Sequence, residues 1–158
     1  MPREARVVEE NACYHIITRG NQQQKVFLEE ADFKKYLHLL GKYKTKFGFK
    51  LYCFCLMPNH VHLLMEIAEA GRLQSIMRGI NLSYTIFFNN KYEKVGHLWQ
   101  DRFLSRVIEK DHYFLNCIEY IEHNPLRAKL TQDIETYRWV SCNLRTRYVN
   151  LVDELYTF

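Results

Sequence analysis

The chain has 158 residues, of which 47% are apolar, and its 6 Gly and 3 Pro are too few for a disordered or linker-rich chain. The formal net charge of +4 permits an anionic partner without requiring one. No apolar run approaches the roughly 20 residues of a membrane helix, and the charged start MPREARVVEE is unlike a secretory signal. The five Cys lack the spacing of a disulfide-knotted protein, which is typical of reduced thiols. We therefore expect one cytoplasmic domain, residues 1–158, with its core at about 13–130 and a tail at 131–158.

Alternating and helical apolar patterns predict seven elements. In chain order these are a strand at 13–18, a helix at 29–46, strands at 49–56 and 60–67, a helix at 72–89, a strand at 103–108, and a helix that begins after Asp111 and runs to the Asn124-Pro125 pair. The second and third strands must be antiparallel, because the connection between them is too short for a crossover. The order β-α-β-β-α-β-α predicts an α+β fold of the ferredoxin-like, split β-α-β kind, with helices covering an antiparallel sheet.

Two histidines lie two residues apart on the third predicted strand. Residues at this spacing point to the same face of a sheet, so His60 and His62 project side by side while Val61 faces the other way. Parallel imidazoles can converge on one divalent ion, which would offset the cost of burying them in an apolar strand. The alternative is that each histidine is a hydrogen-bonded strand residue.

Two cysteines on the preceding strand have the same spacing. Cys53 and Cys55 could join His60 and His62 in a tetrahedral zinc site. Zinc sites usually draw paired cysteines from a turn rather than a flat strand, however, and buried free Cys commonly packs as a small apolar side chain.

The last predicted helix brings a tyrosine and an amide together. Tyr120 and Asn124 are four residues apart, so their side chains lie on one face of the helix. The alternative is that Tyr120 packs at the margin of the core and that Asn124 caps the helix before Pro125.

Several segments resemble those of the REP-associated tyrosine transposases, a branch of the single-tyrosine HUH transposase family. They follow one another along the chain in the same order as in that family. PNHVHLL at 58–64 resembles the HUH motif (His, hydrophobic residue, His), and YIEHNPLRA at 120–128 is similar to the catalytic-helix segment. TRGN at 18–21, GHLWQDRF at 96–103 and YRWVS at 137–141 also match. The resemblance therefore covers most of the chain.

This resemblance implies a role for each matching residue. His60 and His62 would be metal ligands, Asn124 would complete the protein's share of the site, and Tyr120 would be the nucleophile. The metal would be Mg²⁺ or Mn²⁺. The substrate would be single-stranded DNA next to a hairpin, a REP-like palindrome, which is cut to give a 5′-phosphotyrosine link and a free 3′-OH. The protein would be a bacterial, cytoplasmic and nucleoid-associated transposase, and the sequence leaves open whether it forms a homodimer.

The residue types fit this chemistry. A phosphodiester repels nucleophiles, so a divalent ion is needed to polarise its non-bridging oxygen. A covalent intermediate conserves the bond energy, so strands can be rejoined without ATP. Because nitrogen-rich ligation also suits Zn²⁺ or Ni²⁺, the sequence does not determine the metal.

DNA contacts are predicted at four further positions. We expect Arg19, Arg102 and Arg127 to contact phosphates and Trp99 to stack on a base. Arg19 and Arg102 are favoured because they lie in segments that match the family.

Three other functions remain open at this stage. An HUH replication or relaxase-type nicking enzyme shares the histidine motif but usually has extra domains. A catalytically silent module would bind DNA hairpins without turnover, although both histidines, the tyrosine and the asparagine are all present. A structural zinc protein would use Cys53 and Cys55.

Overall fold

The computed structural model describes residues 5–144, 147–148 and 150–154, which form four strands, five α-helices and two single-turn 3-10 helices. The strands are β1 (Ala12–Arg19), β2 (Lys50–Met57), β3 (His60–Ile67) and β4 (Leu104–Ile108); the helices are α1 (Glu30–Phe47), α2 (Arg72–Tyr92), α3 (His112–Glu122), α4 (Asn124–Arg127) and α5 (Ser141–Leu144). No helix in these described ranges is long and apolar enough to cross a membrane.

The four strands form one antiparallel sheet in the order β2-β3-β1-β4. Only Pro58 and Asn59 separate β2 from β3, and the two strands are antiparallel as the sequence predicts. In the pairing of β1 with β3, Arg19 lies opposite His60 and Ile17 lies opposite His62. Directly opposed residues share a face of the sheet, so this register decides which side chains of β1 reach the histidines.

The two faces of the sheet carry different helices. Val61, Leu63 and Met65 of β3 are fully buried in the cluster that includes residues of α1 and α2. Leu64 packs on the opposite face with apolar residues of α3. This confirms the predicted α+β fold, with His60 and His62 on the face covered by α3.

α1 is tied to the end of α2 by a buried carboxylate. Asp32 is fully buried and accepts hydrogen bonds from the backbone of Leu28 and Glu29, from Lys91 Nζ at 2.6 Å and from the hydroxyl of Tyr92 at 2.5 Å. α1 ends at Gly48, whose positive φ of 72° suits a residue without a Cβ.

α3 begins as predicted and ends earlier. Asp111 caps the helix by accepting a 2.8 Å hydrogen bond from the Tyr113 backbone. The helix stops at Glu122 and not at the Asn124-Pro125 pair, because Pro125 has no N–H for the helix and disfavours helical geometry before it. Asn124 therefore begins the short helix α4.

The tail covers the outer edge of β2. Leu56 donates from its backbone to the carbonyl of Trp139 at 2.8 Å, and Val140 forms an isolated bridge with Cys55. The buried hydroxyl of Ser141 accepts a 3.0 Å hydrogen bond from the Phe54 backbone. An exposed strand edge can pair with other chains, and these residues prevent that. Residues 139–141 thus pack against the edge of the sheet, although the sequence pattern there is weak.

Candidate active site

His60 and His62 project together from β3 toward α3. Their ring centroids are 5.0 Å apart. His62 is 2% exposed, whereas His60, at the end of the strand, is half-buried. The alternation along β3 that buries Val61 against α1 and α2 directs both imidazoles to the other face, as the spacing predicts.

A third histidine, which the sequence reasoning did not single out, lies beside them. Nε2 of His15 on β1 is 3.0 Å from Nδ1 of His62, and the two ring planes differ by 24° with centroids 5.2 Å apart. The available signal was a polar ring inside the apolar strand at 13–18. Only the pairing of β1 with β3 shows that this ring lies next to His62.

Each imidazole of the pair on β3 has a second contact. Asn59 Oδ1 lies 2.7 Å from Nδ1 of His60, and the Asn124 amide nitrogen lies 2.8 Å from Nε2 of His62. The backbone of Asn59 is itself anchored, since its carbonyl accepts a 2.8 Å hydrogen bond from the N–H of Gly20. An added Cβ at Gly20 would lie 2.3 Å from the Gln24 carbonyl oxygen, so this close approach requires glycine.

Burial keeps all three imidazoles neutral. It lowers the pKa of His15 to about 4, with a smaller contribution from Arg106, and the pKa of His60 to about 4, with a smaller contribution from Arg19. Burial also lowers the pKa of His62 to about 2, helped by the neighbouring histidines and arginines. Neutral imidazole is the form that binds a metal ion.

Tyr120 stands next to this group at the end of α3. Its ring centroid is 6.2 Å from that of His62 and 6.1 Å from that of His15. The guanidinium carbon of Arg127 lies 3.9 Å from the centre of the Tyr120 ring, and Arg127 also donates a hydrogen bond to the Tyr120 carbonyl oxygen. Tyr120 remains 49% exposed, so its phenol is open to a ligand.

Openings lie on both sides of the histidines. A cleft of about 630 Å³ between β4 and α3 is lined by His15, Arg106, Tyr113 and Tyr120, among others. A smaller polar pocket of about 280 Å³ is lined by residues that include Arg19 and His60. An extended ligand can therefore reach the histidines and Tyr120 from either side.

The structure brings some of the predicted DNA-contacting residues to this group and leaves others apart. Arg19 lies opposite His60 in the sheet, and Arg127 covers the Tyr120 ring. Arg102 and Trp99 line a different groove, beside α2. Trp99 is 9% exposed, and its indole N–H donates to the Asn81 carbonyl oxygen at 3.2 Å. Because the Trp99 ring is packed in the core, it is poorly placed to stack on an exposed base.

The two strand cysteines pack as apolar side chains. Cys53 and Cys55 are fully buried in the cluster beneath α3, and burial raises the pKa of the Cys55 thiol. Within the part of the chain that the structure describes, no three His, Cys, Asp or Glu side chains form a group that could hold a metal ion. The structure thus gives no support to the alternative of a zinc site with two cysteine ligands.

Comparison with protein families identifies the chain. The model of the family described as "Transposase IS200 like" matches residues 9–124, a range that contains His60, His62, Tyr120 and Asn124. The chain belongs to the IS200-like transposase family. This confirms, at the level of the family, the resemblance noted in the sequence.

A curated relative agrees with this assignment. A curated Haemophilus influenzae protein named as a REP-associated tyrosine transposase is 26% identical in an alignment 106 residues long, which covers 60% of this chain. The match also spans 60% of the length of that relative.

Two solved structures share the fold. A REP-associated tyrosine transposase bound to a REP hairpin superimposes with a TM-score of 0.77 at 15% identity, covering 100% of this chain and 95% of the other. A Deinococcus radiodurans protein described as a transposase gives a TM-score of 0.52 at 18% identity, covering 77% of this chain and 97% of the other. At these identities the likeness is one of fold.

Proposed function

We propose that this protein is a REP-associated tyrosine transposase, which cuts and rejoins single-stranded DNA beside a hairpin through a covalent bond to Tyr120. The observation that carries the proposal is the exposed Tyr120 phenol, which lies 6.2 Å from His62 between ring centroids. A nucleophile that must attack a DNA phosphate has to be both accessible and close to the groups that bind that phosphate. The names of the Haemophilus influenzae relative and of the hairpin-bound structure support the same class of DNA substrate.

The donors around Tyr120 fit a divalent metal ion. His60 and His62 are neutral and project together from β3, and Asn124 contacts Nε2 of His62 at 2.8 Å. The Asn124 amide carries an oxygen, the ligand type that Mg²⁺ and Mn²⁺ prefer. We propose that these three residues hold Mg²⁺ or Mn²⁺, which when bound would polarise a non-bridging phosphate oxygen. Nitrogen-rich ligation leaves Zn²⁺ and Ni²⁺ as competitors.

Tyr120 would perform the strand cleavage. Its phenol oxygen forms a bond to phosphorus while the bond from phosphorus to the 3′-oxygen breaks, which leaves a 5′-phosphotyrosine and a 3′-OH. The phenol proton passes to solvent at this exposed position, and the departing 3′-oxygen takes up a proton from water. Attack by another 3′-OH reverses the step and releases Tyr120, so the rejoining needs no ATP.

Arg127 would assist Tyr120 through its position over the ring. A guanidinium 3.9 Å from the ring centre holds the ring in place through a cation–π contact. The same cation lies where negative charge gathers once phosphate is bonded to Tyr120. Its role would therefore be both to orient the ring and to stabilise the anionic intermediate.

The surroundings of Tyr120 suit a single strand. Arg19 and Arg106 lie on the same face of the sheet as His60 and His15, with one arginine beside each opening. Cations in this arrangement can follow the phosphates of a strand that passes over the histidines. In the cleft, the exposed Tyr113 offers a ring on which an unpaired base can stack.

The decisive experiment is a search for the covalent adduct. Labelled single-stranded DNA with a hairpin is incubated with protein and Mg²⁺ or Mn²⁺, and denaturing gel electrophoresis separates protein-linked DNA from free DNA. We expect an adduct with the natural chain and none with Tyr120→Phe, which removes one oxygen and keeps the ring. Tyr113→Phe is the matched control, because Tyr113 lies on the same helix and lines the same cleft.

Each other outcome would contradict the proposed nucleophile or indicate a different function. An adduct that persists in Tyr120→Phe contradicts the proposed nucleophile. Hairpin binding without an adduct in the natural chain would indicate a catalytically silent DNA-binding module. An adduct that forms but never rejoins to an acceptor strand would indicate a nicking enzyme.

A further inference from the structure

We infer that His15 and Asn59 are positioning residues, which hold His62 and His60 in the tautomers with the lone pair on Nε2, the atom that would bind a cation. The inference rests on the proposed metal site, but its first test requires no metal. It concerns residues outside the predicted ligand set, one on β1 and one in the hairpin between β2 and β3.

The hydrogen bond from His60 to Asn59 determines where the His60 proton lies. The Asn59 amide oxygen is 2.7 Å from Nδ1 of His60, and an amide oxygen can only accept. Nδ1 must therefore carry the proton of the neutral ring, which leaves a lone pair on Nε2. Because the Asn59 backbone is fixed by the hydrogen bond from Gly20, its side chain is held at the base of the ring.

Hydrogen bonds at both ring nitrogens of His62 determine its tautomer. The Asn124 amide nitrogen lies 2.8 Å from Nε2, and an amide nitrogen can only donate, so Nε2 must accept. The proton of neutral His62 is then on Nδ1, which is 3.0 Å from Nε2 of His15. His15 accepts this proton's hydrogen bond with its own lone pair. The two histidines of β3 thus adopt the same tautomer, with both lone pairs on Nε2.

His15 acts through His62 and is not itself a ligand in this arrangement. Its Nε2 is engaged by Nδ1 of His62, and the interplanar angle of 24° keeps the two rings close to one plane, as a hydrogen bond between ring nitrogens requires. Histidines that bind metals in proteins nearly always donate the N–H of the other nitrogen to a fixed acceptor, and the loss of that acceptor weakens metal binding.

The choice of acceptors has an electrostatic consequence. His15 and Asn59 are neutral acceptors. In many metal sites a carboxylate accepts the hydrogen bond from the metal-binding histidine instead. The charged groups that act on the three imidazoles are the arginines Arg19, Arg106 and Arg127. A cation held by these histidines would keep most of its positive charge available for an anionic phosphate.

Nuclear magnetic resonance of the chelator-treated full chain tests the tautomers directly. Long-range ¹H–¹⁵N correlation spectra distinguish a protonated Nδ1 from a protonated Nε2 in each histidine. We expect His60 and His62 to carry their protons on Nδ1. In His15→Leu, which removes the acceptor and keeps a side chain of moderate size, we expect His62 to shift to a mixture of tautomers. Finding the His62 proton on Nε2 in the natural chain would overturn the inference.

Titration with Mn²⁺, followed by calorimetry, tests the consequence for metal binding. We expect His15→Leu to weaken Mn²⁺ binding about 10- to 100-fold and His15→Gln, whose amide oxygen can accept the same hydrogen bond, to restore most of the affinity. His38→Leu is the matched control, because His38 is exposed on α1. If His15→Gln binds Mn²⁺ as weakly as His15→Leu in a protein that melts normally, His15 acts as a ligand or as packing, and the inference is wrong.

The two proposals can fail separately. Mn²⁺ binding that depends on His15, in a chain that forms no DNA adduct, supports the positioning role and refutes the transposase. Adduct formation and Mn²⁺ binding that are both unchanged in His15→Leu support the transposase and refute the positioning role.

Discussion

The guanidinium carbon of Arg127 lies 3.9 Å from the centre of the Tyr120 ring. The contact crosses the break between α3 and α4, since Tyr120 precedes His123 and Arg127 follows it. Arg127 also donates to the carbonyl oxygen of Tyr120, so one side chain holds both the ring and the end of the helix. The break at His123 therefore helps to direct the Tyr120 phenol toward the histidines.

Replacing Arg127 should slow chemistry more than it affects folding. We expect Arg127→Ala to reduce the rate of adduct formation at least about 10-fold, because a cation near the reacting oxygen is lost. The loss of folding stability should stay near or below about 1 kcal/mol, the central value for point substitutions in general. Single-turnover assays and thermal melting measure the two effects.

Two further variants make the Arg127 result specific. Arg127→Lys should recover only part of the rate, because a lysine ammonium does not stack as a guanidinium does. Lys34→Ala, which removes an exposed cation from α1, should behave like the natural chain. An Arg127→Ala protein that forms the adduct at the normal rate would contradict this role.

Removal of the metal should stop catalysis without unfolding the protein. Buried apolar side chains form a cluster on each face of the sheet. We expect chelation to abolish adduct formation and to leave the melting temperature nearly unchanged. Melting on chelation would point instead to a structural metal. His60→Ala and His62→Ala should also abolish adduct formation, with the larger stability loss for the buried His62.

DNA binding should favour single strands and weaken with salt. If Arg19, Arg106 and Arg127 each contact a phosphate, the logarithm of the binding constant should fall with the logarithm of salt concentration at a slope of about −2 for single-stranded DNA. Replacing one of these arginines by Ala should change that slope by about 0.7. Fluorescence anisotropy with a hairpin that has single-stranded flanks measures both quantities. Equal affinity for a blunt duplex of the same sequence would argue against the predicted preference.

Asp32 should be a major determinant of stability far from the candidate site. It is fully buried and paired with Lys91, so Asp32→Asn should cost about 3 kcal/mol of unfolding free energy. Glu30→Gln, which affects exposed ion pairs at the same helix end, should cost much less than Asp32→Asn, because solvent screens exposed pairs. Denaturant unfolding compares the two variants.

The same carboxylate predicts how stability depends on pH. Hydrogen bonds from Lys91 and Tyr92 outweigh the effect of burial and lower the pKa of Asp32 in the folded protein. The stabilisation is therefore fully present above the unfolded pKa, near 4, and is lost as the pH falls through the lower folded value. Below about pH 4 the difference in stability between the natural chain and Asp32→Asn should shrink. A difference that stays constant down to pH 2 would mean that Asp32 does not titrate in this way.

Local patterns in the sequence predicted the elements well, and their failures have local causes. The alternation over 60–67 matches β3 residue for residue, and Asp111 caps α3 as expected. The predicted single helix up to Asn124 is wrong because Pro125 breaks it, although the proline is visible in the sequence. Trp99 has no local signal for burial, since its neighbours in the core come from distant segments such as Tyr36 and Tyr84.

By itself, the sequence determined that His60 and His62 share a face, because the period of a strand is two residues and needs no other part of the chain. It also predicted Tyr120 and Asn124 on one helix, which the structure divides between α3 and α4. Only the tertiary structure decided that His15 meets His62 and that Tyr120 faces both histidines. Strand pairing and helix docking join residues 47 to 105 positions apart in the chain, and these contacts are selected by burial of the whole apolar surface and not by any local pattern.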